Sequence, residues 1–127
     1  MRENELSREI VDSPFKIHMA MGPGLLESVY QNVLEYELVR RGLPITAQVP
    51  IPVRYGEILL KRGFIADIVV EELVIIELKS VEEVSPLHKK QLQTYLKLTG
   101  MRLGLLINFN VVLIKNGIFR VANGMPD

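Results

Sequence analysis

The sequence predicts a mixed α/β fold, an α+β arrangement in which helices pack on a single mixed sheet. Three observations lead to this prediction: two helical segments come first, short β-branched apolar runs follow them, and another helix separates those runs from a last group of strands. The chain has 127 residues, of which 48% are apolar and 24% charged. A chain of this length can bury one ordinary hydrophobic core, so we expect residues 1–127 to form a single domain.

The composition excludes several classes of protein. The chain contains no cysteine, which excludes a disulfide-stabilised domain and is typical of a reducing compartment. No apolar run approaches the roughly 18 residues of a membrane span, so we expect a soluble, cytoplasmic protein. The two histidines, His18 and His88, have packing or capping as their default roles. Any metal ion would therefore have to bind to oxygen atoms.

The first third of the chain predicts two helices. Residues 6–21 carry apolar side chains at helical spacing with Ser7 as the candidate N-cap, although Pro14 should kink or interrupt the helix. After a Gly-Pro-Gly break at residues 22–24, residues 25–41 predict a strong amphipathic helix. Its predicted apolar arc contains Leu25, Leu26, Val29, Tyr30, Val33, Leu34 and Tyr36. Its predicted polar face contains Ser28, Gln31, Asn32 and Glu35.

The middle of the chain predicts three strands. Residues 48–55 read as extended, and Pro50 and Pro52 mark them as an edge or irregular strand. Residues 64–70 and 73–78 are β-branched apolar runs that are too short for helices. Because only two residues separate these two runs, they predict a hairpin.

The next segment predicts a helix followed by a buried strand. Ser85 is the predicted N-cap and Pro86 the first residue of a helix that ends at Thr99. Residues 103–109 predict a buried strand. This strand would lie parallel to residues 73–78, with the helix as a right-handed crossover between them.

The C-terminal segment predicts a second β-hairpin. Residues 111–114 and 118–121 flank Asn116-Gly117, a dipeptide that favours a type I′ turn. The predicted order is therefore helix, helix, three strands, helix, strand and hairpin.

Polar residues in the predicted core are the main functional signal, because such positions often mark sites. Asp67 interrupts the run 64–70, where a buried carboxylate costs several kcal/mol unless it is paired, protonated or bound to a metal. Glu77 and Lys79 interrupt the next run and project from the same face of their strand. The alternative to a functional site is an ordinary ion pair between Glu77 and Lys79 on a solvated face of the sheet. Apolar residues at both odd and even positions of the strand argue against a solvated face.

Two helical residues belong to the same set. On a helical wheel, Glu27 lies at nearly the same angle as Leu34, at the edge of the apolar arc. The alternative is that Glu27 only complements the helix macrodipole in the first turn. Gln91 lies between Leu98 and Tyr95 on the predicted inner face of its helix. Neighbouring backbone could equally satisfy this amide.

The register of the first hairpin decides whether the two strand acids meet. Asp67 lies opposite Glu77 only if Val70 pairs with Val74, which leaves the odd loop 71–73. A two-residue turn would send the two carboxylates to opposite faces. A shared site therefore predicts the three-residue loop, which the apolar pattern alone does not decide.

Together these side chains predict a cation site. Glu27, Asp67 and Glu77 with Lys79 would bring three negative charges and one positive charge into one place. A site of low dielectric constant does not tolerate this excess without a counter-charge. Because the donors are oxygen atoms, the expected cofactor is Mg²⁺ or Mn²⁺, ions that also bind phosphates.

At these residues the sequence resembles the PD-(D/E)XK nuclease superfamily and, within it, the group named for the motif G-x-x-E-x-x-Y. Here Gly24, Glu27 and Tyr30 form that motif. The resemblance covers residues 6–121 and continues through residues 62–67, 76–80, 88–96 and 104–110. A single Asp and Glu-x-Lys is unspecific, but the ordered set of Glu, Asp, Glu-x-Lys and Gln-x-x-x-Tyr is specific.

The resemblance implies a restriction-endonuclease-like core of order αβββαβ, with an extra N-terminal helix and the C-terminal β-hairpin. It implies a metal-dependent nuclease that hydrolyses phosphodiester bonds in nucleic acid, with DNA favoured, in DNA repair, recombination or defence. It further implies Asp67 and Glu77 as direct metal ligands, with the backbone carbonyl of Leu78 as another. Lys79 would position or polarise the attacking water, and Glu27 would support the metal through water or hold a second ion.

Substrate contacts are expected mainly from the third helix. By resemblance, Gln91 and Tyr95 would orient the site or the substrate, and Tyr30 is a further candidate for substrate binding. Residues 85–126 contain six Lys and Arg residues and no Asp or Glu, so Lys89 and Lys90 are candidates for phosphate contacts. A merely soluble surface is the alternative for these two lysines.

Two other functions remain open at this point. One is a catalytically inactive nuclease-like domain that binds nucleic acid or a protein partner, and the other is a phosphoesterase of small molecules. The four charged residues argue against an inactive domain, because a domain that only binds has no physical reason to keep costly buried charges. A homodimer is a candidate assembly, since a small nuclease often needs a second copy to engage two strands.

Overall fold

Three helices and five strands make up residues 2–125, the part of the chain that the computed structural model describes. The elements are α1 (Arg2–Met21), α2 (Glu27–Arg40), β1 (Ile45–Tyr55), β2 (Ile58–Val70), β3 (Val74–Lys79), α3 (Pro86–Thr99), β4 (Leu103–Asn108), a 3₁₀ turn (Ile114–Gly117) and β5 (Ile118–Ala122). Within this described part, no helix has the length and apolar character needed to cross a membrane.

The five strands form one mixed sheet in the order β1-β2-β3-β4-β5. β3 and β4 are parallel and are joined by α3, whereas each other neighbouring pair is antiparallel. The predicted mixed sheet, the parallel pair joined by a helix and the edge position of the proline-containing strand β1 are all confirmed.

The sheet separates two apolar layers. The α1–α2 layer covers one face, where helix residues including Ile10, Tyr30 and Leu34 pack against Ile68, Ile76 and Leu105. The α3 layer covers the other face, where Leu92 and Leu96 pack against Ala66, Ile75 and Leu106. Because side chains alternate along a strand, Glu77 and Lys79 lie on the same face as Ile75, the face that α3 covers.

α3 begins and ends where the sequence predicts. The Oγ atom of Ser85 accepts a hydrogen bond from the His88 N–H at 3.3 Å, and His88 Nδ1 accepts one from the Ser85 N–H at 3.1 Å. Pro86 is the first helical residue, and Gly100 ends the helix with φ 75°. The default capping role of His88 is therefore confirmed.

α1 is longer and more regular than predicted. It runs without interruption over 20 residues, so Ser7 lies inside the helix and does not cap it, and Pro14 does not interrupt it. Pro14 lacks a backbone donor, which weakens one turn of the helix. Ile10 and Ile17 are buried against the rest of the α1–α2 layer, and this packing offsets the lost hydrogen bond.

The apolar arc predicted for α2 is partly wrong. Leu25 and Leu26 precede the helix and are exposed, and Tyr36 is exposed as well. Gln31, predicted on the polar face, is buried. The buried stripe consists of Tyr30, Gln31, Leu34, Glu37 and Leu38. Its two polar members can be buried because both have polar partners.

The predicted C-terminal hairpin does not form. Residues 111–113 are irregular and lie against α1, where His18 Nε2 is 2.8 Å from the Val111 carbonyl oxygen. β5 pairs with β4, whose backbone groups would otherwise face an open sheet edge. The backbone at Gly117 approaches β4 so closely that an added Cβ would lie 2.1 Å from the Asn108 carbonyl oxygen.

Candidate active site

Asp67 and Glu77 face each other across β2 and β3. Val70 pairs with Val74, so the connection is the three-residue loop 71–73, as the shared site predicted. Two residues of this loop adopt positive φ, 50° at Glu71 and 58° at Glu72. The register prediction is therefore confirmed, and it brings the two carboxylates together.

The two carboxyl groups are fixed by reciprocal hydrogen bonds to the opposite strand. The Asp67 N–H donates to Glu77 Oε2 at 2.8 Å, and the Leu78 N–H donates to Asp67 Oδ2 at 2.8 Å. Each carboxylate thus accepts a bond from a backbone N–H near the other. This arrangement holds the pair rigidly, which suits a site that must place two oxygen donors accurately.

β1 and β2 twist at the position of Asp67. Ala66 packs in the α3 layer and Ile68 in the α1–α2 layer, although residues two apart in a regular strand share a face. The ladder between the two strands skips Asp67 and the opposite residue Gln48, whose φ is 52°. The Asp67 N–H is thereby available for Glu77.

Two glutamine side chains hold Asp67 from the other elements. Gln31 Nε2 donates to the Asp67 carbonyl oxygen at 2.9 Å, and the side chain of Gln48 opposes the rise in the pKa of the Asp67 carboxyl group. Neither contact is predicted from the sequence. Gln31 lies at i, i+3, i+7 spacing with Leu34 and Leu38, which is the signal that could have placed it on the buried stripe. Gln48 carries no comparable signal.

Burial and like charge perturb the two acids. Burial raises the pKa of Glu77 to about 8, with a further contribution from the charge of Asp67. Burial also raises the pKa of Asp67, against the opposing effect of the Leu78 N–H and the charge of Lys79. The pair therefore carries more negative potential than its surroundings compensate, so it favours a bound proton or a cation.

Lys79 supplies the positive charge of the site. It lies two residues after Glu77 on the same face of β3, and its charge lowers the pKa of Glu77 and of Asp67 less than burial raises them. Its ammonium group forms no ion pair with any carboxylate of residues 2–125. The charge is therefore available to an anionic substrate.

Glu27 is the first residue of α2 and is exposed, contrary to the prediction that it lies at the edge of the buried arc. Its charge contributes to the raised pKa of Glu77, after burial and Asp67, so it lies within electrostatic range of the carboxylate pair. The preceding loop is fixed to the end of β3, because Ser80 Oγ donates to the Leu25 carbonyl oxygen at 2.7 Å.

Tyr30 has no exposed surface, so its expected role in binding substrate is wrong. Its ring stacks on Phe109 with a centroid distance of 4.4 Å. Its hydroxyl donates to the Gly22 carbonyl oxygen at 2.6 Å and accepts from the Leu25 N–H at 3.1 Å. Tyr30 therefore holds the turn that positions Glu27.

Replacing Tyr30 with phenylalanine should lower the free energy of unfolding by about 1–2 kcal/mol, because it leaves a carbonyl and an N–H of the turn without their partner. Urea denaturation measures this loss. Tyr36→Phe is the matched control, since Tyr36 is exposed. Equal stability of the two variants would show that the hydroxyl does not hold the turn.

On α3, the structure brings Tyr95 to the site but leaves Gln91 exposed. Tyr95 stacks on Phe64 with a centroid distance of 3.6 Å, and burial followed by the charges of Glu77 and Asp67 raises its pKa. The inner-face position predicted for Gln91 is wrong. The buried face is centred on Leu92 and Leu96, and Gln91 is about 100° from Leu92 around the helix.

Lys89 and Lys90 are exposed, and they lie beside a groove between α3 and β5. Lys89 Nζ is 4.2 Å from the centroid of the Phe119 ring. The groove has a volume of about 450 Å³, and its polar lining also includes Gln93 and Arg120. None of the acidic residues between positions 2 and 125 lines it.

The donor set fits a divalent cation only in part. Within residues 2–125, no three His, Cys, Asp or Glu side chains form a group able to hold a metal ion, so Glu27 does not complete a three-carboxylate site. Asp67 and Glu77 do fit a hard cation, because their paired oxygen donors are compensated by Lys79 only in part. Leu78 gives its N–H to Asp67.

Comparison with known proteins identifies one family. A family model described as the PD-(D/E)XK nuclease superfamily matches residues 4–121. No curated protein and no solved structure matches the chain.

Proposed function

The chain belongs to the PD-(D/E)XK nuclease superfamily, and we propose on this basis that it is a metal-dependent nuclease that hydrolyses phosphodiester bonds, with DNA as the favoured substrate. The observation that carries the proposal is the reciprocal bonding of Asp67 and Glu77, with Lys79 on the same face. Such a half-buried pair of acids is costly for a domain that only binds, so we favour an active enzyme.

Asp67 and Glu77 would hold Mg²⁺ or Mn²⁺ through their carboxylate oxygens, with the Leu78 carbonyl as a further donor. When bound, such a cation polarises a phosphoryl oxygen and lowers the pKa of a coordinated water. Lys79 places a positive charge where negative charge develops during phosphodiester cleavage. Because Glu27 is exposed, we assign it an indirect role through water.

Substrate orientation falls to α3 in this proposal. Tyr95 lies close enough to the acids to respond to their charges, and Gln91 lies one turn before it on the solvent side. Lys89 and Lys90 would contact backbone phosphates from the groove beside β5. We also assign the chain to the G-x-x-E-x-x-Y group, on the basis of Gly24, Glu27 and Tyr30.

The distribution of ion pairs supports a polyanionic substrate. Four of the five Lys and Arg residues up to Arg41 form ion pairs with carboxylates, namely Arg2, Lys16, Arg40 and Arg41. None of the ten that follow Arg41 is paired with a carboxylate of residues 2–125. Unpaired cations are the groups that bind phosphates with release of counterions. The overall charge is neutral, but the cations that follow Arg41 are not neutralised by any carboxylate of residues 2–125.

The decisive experiment is a cleavage assay with single-stranded, nicked, branched and duplex DNA and with RNA, in Mg²⁺, in Mn²⁺ and in EDTA. We expect wild-type protein to cleave DNA only with a metal, and Asp67→Asn to reduce the rate by about 100-fold or more. Glu72→Gln, which alters an exposed acid in the adjoining loop, is the matched control. Cleavage that survives in Asp67→Asn would remove this assignment.

A further inference from the structure

The far end of the β1–β2 hairpin projects from the sheet. Residues 54–63, which we call the arm, are all exposed. Its turn is formed by Gly56, with φ 60°, and Glu57. The β1–β2 register shifts between Ile51 and Val53, which separates the arm from the rest of the hairpin.

The arm leaves the sheet at a tightly packed point. An added Cβ at Gly63 would lie 2.1 Å from Val53 Cγ2, so only glycine allows the strands to approach here. The base of the arm is therefore fixed by packing, and its direction is set by the fold.

The arm combines apolar side chains with unpaired cations. Tyr55, Ile58, Leu59 and Leu60 are 83%, 59%, 46% and 57% exposed. Its cations are Arg54, Lys61 and Arg62, and none of them forms an ion pair with a carboxylate of residues 2–125. Its single acid is Glu57. Exposed apolar groups in this density mark an interaction surface.

We propose that the arm binds duplex DNA by entering its major groove, with its cations on backbone phosphates and its apolar side chains against base edges. This inference rests on the proposed nuclease function and assigns its substrate as a B-form duplex. A two-stranded ribbon, with strands about 4.8 Å apart, fits a major groove about 12 Å wide. Apolar side chains can contact thymine methyl groups there. The deep and narrow major groove of duplex RNA does not admit the ribbon.

The distance between the arm and the candidate active site is fixed, because β2 contains one strand of the arm as well as Asp67. Ile58 begins β2 and Asp67 lies nine positions later, which is at most about 30 Å along the strand. This length corresponds to about nine base-pair steps at about 3.4 Å each. The arm would therefore contact the duplex within roughly one helical turn of the cleaved bond.

Charge favours DNA over a second copy of the chain as the occupant. Two arms packed face to face would bring six cations together with only two acids, and like charges at an interface are unfavourable. A polyanion turns the same charges into attractive contacts. We therefore treat self-association through the arm as an outcome of the test.

The test measures binding of a fluorescein-labelled DNA duplex by fluorescence polarisation in EDTA, at several salt concentrations. The arm variant is Arg54→Ala/Lys61→Ala/Arg62→Ala. The control is Arg8→Ala/Lys16→Ala/Arg40→Ala, which removes three exposed cations from α1 and α2. We expect the arm variant to weaken duplex binding at least about tenfold and to reduce the slope of log K against log salt by about 2 to 3, with little change in the control. An RNA duplex should respond equally little to both triple variants.

Two results would overturn the inference. One is an equal loss of affinity in the two triple variants, which would reflect net charge alone. The other is a dimer, seen by sedimentation, that Ile58→Ser/Leu60→Ser dissociates without changing DNA affinity. Because binding is measured without metal, arm-dependent binding by a protein that cleaves nothing would retain this inference and reject the nuclease proposal. If the arm variant cleaved and bound DNA as well as the wild type, the nuclease proposal would be retained and the inference about the arm rejected.

Discussion

Replacing Lys79 with alanine is expected to slow phosphodiester cleavage by about 100-fold or more, the usual effect of removing one preorganised group that stabilises developing charge. Lys79 lies on the same face of β3 as Glu77 and pairs with no carboxylate of residues 2–125. Its charge is therefore available to a bound phosphodiester. The single-turnover rate in Mg²⁺ measures the effect.

Lys16→Ala is the matched control for this variant. Lys16 is an exposed lysine of α1 that lies 3.8 Å from Glu37, and it belongs to the α1–α2 side of the molecule. We expect it to leave the cleavage rate unchanged. If Lys79→Ala cleaved as fast as Lys16→Ala at equal stability, the role given to Lys79 would be wrong, and any observed activity would point to a contaminating nuclease.

The metal-free protein should lose stability as the pH rises from about 4.5 to about 8, because the pKa of Glu77 is raised from its model-compound value of 4.5 to about 8 by burial and by Asp67. Over this window the folded state binds more protons than the unfolded state, so the free energy of unfolding falls with increasing pH. The stabilisation is fully present below the unfolded pKa. We expect a total loss of a few kcal/mol, measured by urea denaturation at each pH in EDTA.

One substitution and one added ligand should each offset this loss of stability. Glu77→Gln eliminates the titrating group, so its stability should exceed that of the wild type above pH ~8. Millimolar Mg²⁺ or Mn²⁺ should raise the melting temperature of the wild type at the same pH, since binding to the folded state stabilises it. Glu72→Gln should retain the wild-type slope and the response to metal. A pH-independent, metal-independent stability of the wild type would contradict the cation site.

Local patterns were sufficient to predict much of the fold. The caps of α3 at Ser85 and Gly100 depend on neighbouring residues only, and the structure confirms both. The parallel β3–α3–β4 unit followed from two apolar runs separated by one helix. The loop 71–73 followed from requiring Asp67 and Glu77 to meet, and the observed pairing of Val70 with Val74 confirms it.

Predictions that depended on contacts between distant segments were less successful. The helical pattern of α2 predicts Gln31 on the solvent face. Its partner is the Asp67 carbonyl oxygen, which belongs to a distant strand and which the sequence of the helix does not reveal. The dipeptide Asn116-Gly117 favours a hairpin locally, but the open edge of β4 recruits β5. The inner-face prediction for Gln91 depends on Leu98 pointing into the core, but Leu98 is itself exposed.

The sequence by itself determined the order of the elements as far as β4 and the identity of the charged residues Asp67, Glu77 and Lys79, because these depend on period and residue type. The register of the β2–β3 hairpin followed only from the added requirement that Asp67 and Glu77 share one site. Only the tertiary structure decided which groups surround them. Gln31, Gln48 and Tyr30 reach the site or its supporting turn from α2 and β1. The partners of Gln31 and Tyr30 are backbone groups, which every residue type carries, so composition and spacing alone leave no trace of these contacts.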